Sequence, residues 1–361
     1  MTINIVRFPF PIATTPDVDH AIALNAAVAI GVSGGKDSQA AALATFAKLD
    51  SAGHVGPRVL IHSDLGAVEW KDSLPTCQKL ADHLGAELLI VRRKAGDLMQ
   101  RWEARWASSK LRYSELSTVT LVPCWSTPSL RFCTSELKTQ VIRPELRRRF
   151  KGLQIINVTG VRRQESAARA KGSIADRDGD GTINWRPISD WSEADVFSYI
   201  AFSGLKPHVA YAEFGMSRVS CRFCIMSSIA DLTAAAAQEE AHPLYRRMVG
   251  LEIDSTFAFQ GSRWLGDVAP HLLSKEMREA HAQAKARAEE RVVLEKAITS
   301  DMRYVKGWPT RMLTDDEADV LALVRRSVSK LVGIEADYLT RGSIHSRYEA
   351  LIAERERRAA E

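Results

Sequence analysis

Residues 27–38 read A-V-A-I-G-V-S-G-G-K-D-S, and this stretch decides the fold. Ala27 to Val32 has the pattern of a buried strand that stops at Ser33. The chain then turns on Gly34 and Gly35 and enters a helical pattern from about Asp37 to Leu49. Glycines at such a junction let the backbone approach an oxyanion with no Cβ in the way, and the helix start offers unpaired N–H groups at the positive end of a dipole. Ser33 and Ser38 add hydroxyl donors, Lys36 adds a point charge, and Asp37 is a carboxylate suited to a magnesium ion that bridges phosphates. The spacing matches neither G-x-x-x-x-G-K-S/T nor G-x-G-x-x-G.

Outward from this loop, Val59–His62, Glu87–Val91 and Leu153–Val158 read as strands and Trp70–Leu84 as a helix. Strands alternating with helical patterns predict an α/β fold, a parallel sheet covered by helices. The last of these strands ends at Thr159-Gly160, where an open parallel sheet places its ligand. Beyond about Ala230 the chain turns to Ala, Glu, Arg and Lys in helical spacing, and Ser274–Asp301 carries balanced charge of both signs. Trp308-Pro309 breaks that pattern, and Asp315–Glu361 reads as a final helical pair. The expected organisation is a nucleotide-binding α/β domain over residues 1–230 and a helical region over 231–361.

The 361 residues are 45% apolar and 26% charged with a net charge of +5, which excludes disordered and fibrous classes. Five cysteines are too few for a disulfide scaffold and point to a reducing compartment. The apolar stretch Ala21–Val32 lacks the flanks of a signal peptide. No run is long enough to cross a membrane, so a cytoplasmic protein without membrane contact is expected. The mild net charge conceals a concentration: residues 131–171 hold eleven Arg and Lys against three Glu. Such a stripe suits a phosphate backbone, or else serves a small anionic nucleotide and solvated helix faces. Asp176–Gly181, D-R-D-G-D-G, opens like a calcium loop, but position twelve falls on Pro187 instead of a bidentate Glu. It reads as an acidic turn.

SGGKDS resembles the PP-loop of the ATP pyrophosphatase superfamily, whose members bind an adenine nucleotide and usually cleave ATP between its α and β phosphates. Further segments follow in the order of the phosphoadenosine phosphosulfate reductase family. They are HSDLG from His62, RFCTSELKTQVIRP from Arg131 to Pro144, TGVRRQES from Thr159, WRPISDWSEADV from Trp185 to Val196, and HVAYAEFGMSRVSCRFC from His208 to Cys224. With EEAHPLYRRM, ending at Met248, the resemblance spans roughly residues 25–250 and leaves the last hundred uncovered. It implies an adenine-nucleotide α-hydrolase-like fold binding ATP and Mg2+. Ser33, Gly34, Gly35, Lys36, Asp37, Ser38, Asp64, Gly160 and Arg162 are the expected nucleotide contacts, and Lys36, Asp37, Lys138 and Arg163 the expected catalytic set. From the residues alone, Asp64 serves equally as an N-cap, and Arg162 with Arg163 either binds phosphate or sulfate oxygens or is a solvated pair. Ser192 with Glu193 and Asp195 opens a helix.

Cys221 and Cys224 form C-x-x-C, and Cys133 precedes them in the segment that meets it in space in the resembled family. In iron–sulfur members these positions ligate a 4Fe–4S cluster; thiolates suit iron–sulfur or zinc, and buried or redox-active thiols are the bland alternative. Cluster-bearing reductases carry two adjacent cysteines where this chain has Phe132-Cys133, leaving three matched ligands. Cys124 is a candidate fourth, and Cys77 reads as core. Three ligands leave one iron open, which resembles cluster-dependent nucleic-acid thiolation enzymes. Cluster-free reductases attack the sulfonate with a cysteine near the chain end, and no cysteine follows Cys224. The expectation is therefore an ATP-dependent sulfurtransferase that adenylates DNA or RNA, with a cysteine desulfurase and other modification-complex subunits as partners. A sulfonucleotide reductase using an external thiol and a nucleotide-sensing subunit of a larger assembly are the alternatives.

Overall fold

A computed structural model describes residues 10–360. The chain divides into two compact units, residues 1–98 with 131–238, and residues 99–130 with 239–361. In place of the single boundary expected at residue 230, a 32-residue excursion, Met99–Leu130, belongs to the helical unit.

In the first unit, α1 (Pro16–Ala23) leads into β1 (Ala27–Val32), α2 (Lys36–Ser51), β2 (Arg58–Asp64), α3 (Ser73–Leu84) and β3 (Glu87–Arg92). After α4 (Leu98–Ser114), which belongs largely to the second unit, comes a helix in three registers. A short α5 (Phe132–Thr134) passes through a π turn (Ser135–Thr139) into α6 (Gln140–Arg149), followed by β4 (Ile155–Val158). Then come α7 (Ala167–Ala170), β5 (Ala175–Arg177), β6 (Ile183–Trp185), α8 (Glu193–Phe202), α9 (Val209–Ala212) and α10 (Ile229–Ala236). The sheet order is β3-β2-β1-β4-β6-β5. All pairings are parallel except β5 with β6, so the unit is the expected α/β fold.

Burial on both faces explains why the central strands read as continuous apolar runs. Val28, Ile30 and Val32 face one cluster with Ala40, Leu43 and Leu80, while Ala27 and Ala29 face another with Leu146 and Phe150. The segment read as an acidic turn is the tip of the β5–β6 hairpin, closed by Asp178 N–H to the Thr182 carbonyl at 2.9 Å. At α8 the anticipated cap is present: Ser192 Oγ accepts the Asp195 N–H, and Asp195 accepts the Ser192 N–H at 2.7 Å.

The second unit is helical among its described residues, with α11 (His242–Ser255), α12 (Lys275–Glu295), α13 (Asp315–Val332) and α14 (Arg341–Ala360) joining α4. Two features hold it. An edge-to-face cluster joins Trp102, Trp125 and Phe259 at centroid separations of 5.1–6.2 Å. Arg325, 0% exposed, donates to the carbonyls of Tyr113, Ser114, Asp337 and Tyr338 at 2.7–3.2 Å and stacks on the Tyr113 ring. It thereby caps the C-terminal end of α4. Replacing it with an apolar side chain strands these buried acceptors. Arg325→Leu is expected to lower the unfolding free energy of the chain by about 3–5 kcal/mol, read by urea denaturation; a loss within measurement error would mean that water satisfies the carbonyls.

Candidate active site

The site forms where β1 and β4 end. Gly34 has a φ of +77°, and a Cβ there would lie 3.0 Å from both Cα and the carbonyl oxygen of Ser73. Gly160 is tighter: a Cβ would overlap the Asp37 carbonyl and come within 2.8 Å of the Ser38 nitrogen. These glycines are needed because protein backbone, rather than ligand alone, approaches them. Ser38 Oγ donates to the Gly35 carbonyl at 2.8 Å and accepts the Ser33 N–H at 3.2 Å, closing the loop on itself. The first turn of α2 has no capping side chain from its own N-cap, Gly35, and so keeps the anion-binding character of a helix start.

A cleft of about 740 Å³ opens over this loop and is lined by Ser33, Gly35, Lys36, Asp37 and Ser38, by Lys138 and Arg143, by Gly160 and Arg162, and by Arg218 and Cys221 among others. Most of its charges are already matched. Lys36 is buried; its ammonium lies 3.0 Å from Glu193 and 3.6 Å from Asp37, donates to the Ser217 carbonyl at 3.4 Å and sits over the Tyr211 ring. Burial disfavours its charge, but Tyr211, Asp37 and Glu193 outweigh burial and hold it above the usual lysine range. The Arg162 guanidinium, 4% exposed, pairs with Asp37 and donates to Gln164. Both Asp37 oxygens thus face cations, and a magnesium ion would enter with the nucleotide's own phosphates. Arg143 pairs with Asp178 and Arg169 with Glu165.

Arg163 and Asp64 stand apart from the cleft lining. Arg163 pairs with Asp190. Asp64 accepts the Gly66 N–H at 2.7 Å and pairs with Arg92. Burial alone would raise the Asp64 pKa, but Arg92 and the Gly66 N–H lower it, so its local role is the turn cap weighed alongside nucleotide binding. The cations of the cleft without a carboxylate partner among the described residues are Lys138 and Arg218. Lys138 was anticipated from the sequence. Arg218 was not; its signal was its position three residues before Cys221 in the last resembling segment.

Beneath the loop, His62 is 1% exposed. Its Nδ1 lies 3.0 Å from the Val32 carbonyl and its Nε2 3.1 Å from Glu69, whose side chain lines the cleft. Two acceptors at the two ring nitrogens select the imidazolium. Burial lowers the His62 pKa, but hydrogen bonds with Cys77 and Glu69 outweigh it and raise the value to about 10.

Cys221 and Cys224 lie on the loop between α9 and α10, and Cys133 on α5. All three are half-buried. Cys221 has its thiol pushed up by burial and by the neighbouring Cys224 and Cys133, while Lys138 acts in the opposite direction. Cys133, Cys221, Cys224 and Lys138 are therefore one neighbourhood. Among the described residues no three His, Cys, Asp or Glu side chains form a site for a single metal ion. A tetrahedral zinc site needs its donors about 2.3 Å from one point, whereas a cluster takes each thiolate on a different iron. Three soft thiols fit the latter in chemistry. Cys124 belongs to the second unit, where it is buried against Ser255 with its thiol raised by burial to about 12. Cys77 is in the core of the first unit, 3.8 Å from His62.

A family model described as the phosphoadenosine phosphosulfate reductase domain matches residues 27–227. The chain belongs to this family. A 119-residue stretch is 38% identical to an uncharacterized 37.8 kDa protein in the gpa 5' region of Escherichia phage 186, covering 31% of this chain and 35% of that protein. The chain thus spans about a third of that relative's length. Among solved structures, it is similar to the phosphoadenylyl-sulfate reductase of Candida auris in its phosphate complex. That match has 14% identity and a TM-score of 0.37, and covers 58% of this chain and 97% of that one. It is also similar to the U34-tRNA thiolase NcsA of Methanococcus maripaludis with its 4Fe–4S cluster. There the identity is 16% and the TM-score 0.36, over 65% of this chain and 77% of that one. No helix among the described residues is long and apolar enough to cross a membrane.

Two measurements probe this family member's site. Because the His62 pKa is raised from 6.5 to about 10, its stabilisation is complete below about pH 6.5 and is lost as pH rises through about 10. Unfolding free energy should fall over that window in the native sequence, and His62→Gln should be less stable at pH 6 with a flatter profile; parallel profiles would refute the imidazolium. If Cys133, Cys221 and Cys224 hold a 4Fe–4S cluster, anaerobic purification gives a brown protein with about four irons per chain, and Cys221→Ala loses them. A colourless protein carrying zinc would remove the cluster.

Proposed function

We propose that this family member is an ATP-dependent sulfur-transfer enzyme that acts on a nucleic acid. The observation carrying this reading is that one cleft contains both the first turn of α2, whose N-cap Gly35 brings no side chain, and Cys221. A polyphosphate and a sulfur-bearing centre would then share a single chamber.

In this reading the ATP phosphates lie at the first turn of α2, where the opening N–H groups of a helix have no partner within it. An acceptor oxygen attacks the α-phosphorus, the bond to the bridging oxygen of the β-phosphate breaks, and pyrophosphate leaves. Adenylation converts a poor leaving group into a good one. A hydrosulfide, released from the persulfide of a cysteine desulfurase by an external thiol that is oxidised to the disulfide, then attacks the activated carbon or phosphorus and AMP departs. Lys138 and Arg218 meet the charge developing on phosphoryl oxygens, since their own charge is not neutralised by a carboxylate among the described residues. Arg162 fixes the Asp37 carboxylate and with it the helix start. Cys133, Cys221 and Cys224 would hold the 4Fe–4S cluster, which when bound supplies an iron able to carry sulfur.

The family favours a second reading, reduction of a sulfonucleotide with an external thiol, because it takes its name from that reaction. The two separate by product. Sulfur transfer predicts pyrophosphate from Mg-ATP, stimulated by DNA or RNA, and a roughly 10²-fold lower rate in Lys138→Ala. Sulfite from phosphoadenosine phosphosulfate with thioredoxin, and no pyrophosphate from ATP with any nucleic acid, would establish the reductase instead.

A further inference from the structure

Between the phosphate loop and the cysteine loop stands one side chain that neither the sequence reading nor the proposed chemistry uses. Tyr211, on α9, places its hydroxyl oxygen 3.1 Å from the Lys36 nitrogen and 3.2 Å from the Val219 nitrogen, accepting both N–H groups. The first belongs to the opening residue of α2 and the second lies two residues before Cys221. A phenolic oxygen has two acceptor positions and one donor, so these amides fill its accepting capacity and tie two loops 183 residues apart in sequence to one atom.

The surrounding contacts give this junction little play. A Cβ on Gly35 would lie 3.3 Å from the Val219 carbonyl and 3.6 Å from the Tyr211 hydroxyl, so the loops are already in near contact there. The Tyr211 ring lies 5.0 Å beneath the Lys36 ammonium, which itself donates to the Ser217 carbonyl at 3.4 Å. From the other side buried Asp231 accepts both the N–H and the hydroxyl of Ser217, at 2.7 and 2.8 Å. Phe197 supports the ring edge-to-face at 5.4 Å. The segment 217–219 is thereby fixed between the start of α2 and the start of α10.

We propose that Tyr211 is a positioning residue that makes the phosphate loop and the cysteine loop one mechanical unit, so that a nucleotide at the start of α2 also orders the backbone leading into Cys221. Tyr211 touches no reacting atom in this assignment. It acts through the Lys36 and Val219 amides, and a ligand that stiffens one loop stiffens the other through the shared oxygen. The nucleotide part of this statement rests on the proposed function; the mechanical link does not.

Hydrogen exchange followed by mass spectrometry on the full chain tests both parts, with Tyr211→Phe as the variant because it keeps the ring and removes only the oxygen. Without ligand, Tyr211→Phe should exchange about tenfold faster in peptides covering both 33–38 and 217–221, with the β3 peptide 87–92 unchanged as the control for global loosening. Faster exchange in one loop alone, or in neither, overturns the link. A non-hydrolysable ATP analogue with Mg2+ should slow exchange at 217–221 in the native sequence. In Tyr211→Phe it should still bind, with Kd within about threefold, yet give less than half that protection. Equal protection in the two proteins overturns the coupling. If the analogue binds neither protein, the ATP reading fails while the ligand-free comparison still decides the role of Tyr211. If the variant is destabilised throughout, including 87–92, Val219→Ala, which keeps the donating amide, should leave both loops protected as in the native sequence; loosening there too would assign the effect to packing and overturn the proposal.

Discussion

The approach of the β4 loop to the start of α2 is the constraint on which the site depends. Gly160 lies against the Asp37 carbonyl so closely that no Cβ fits, and Arg162, two residues on, clamps the Asp37 side chain. Backbone contact and ion pair act at the same helical turn from the same loop. Because β1 and β4 are adjacent parallel strands, this junction lies at their common carboxyl end, where doubly wound sheets bind ligands. The direction of the first turn of α2, and hence of its N–H groups, follows from that pairing.

The stretch 131–171, so basic in sequence, finds its counter-ions elsewhere: Arg143 and Arg147 on the hairpin carboxylates Asp178 and Asp180, Arg149 on Glu87, Arg162 on Asp37 and Arg163 on Asp190. Much of the apparent stripe is therefore internal scaffolding. Among the described residues, the cleft cations left without a carboxylate are Lys138 and Arg218. Cys221 lines the same cleft as Lys138, and its thiol feels Lys138, Cys224 and Cys133.

The central strands were legible because burial on both faces makes their sequences continuously apolar, and β1 spans the expected residues. The hairpin was hidden: β5 and β6 are three residues each, too short for a period to show, and their turn carries aspartates that mimic a cation loop. The excursion 99–130 was also invisible, since its allegiance is set by Trp102 and Trp125 packing on residues far along the chain. At the site, glycines and hydroxyls announced a phosphate loop because their spacing is local. The partners of Asp37, Asp64, Arg162 and Arg163 were not announced, because an ion pair such as Asp37 with Arg162 joins positions 125 residues apart and composition alone cannot match them. The same limit hid Arg218, which has no carboxylate partner among the described residues.

The π turn at Ser135–Thr139 sets how this segment tolerates insertion and deletion. A π turn is an α-helix carrying one surplus residue, and here the surplus falls between Cys133 and Lys138. Loss of a single residue within 135–139 would remove that surplus and let the helix run on in regular α register, whereas loss of one from the regular turns of α6 would rotate everything upstream by about 100°. The π turn therefore absorbs a change of length that α6 would pass on as a rotation.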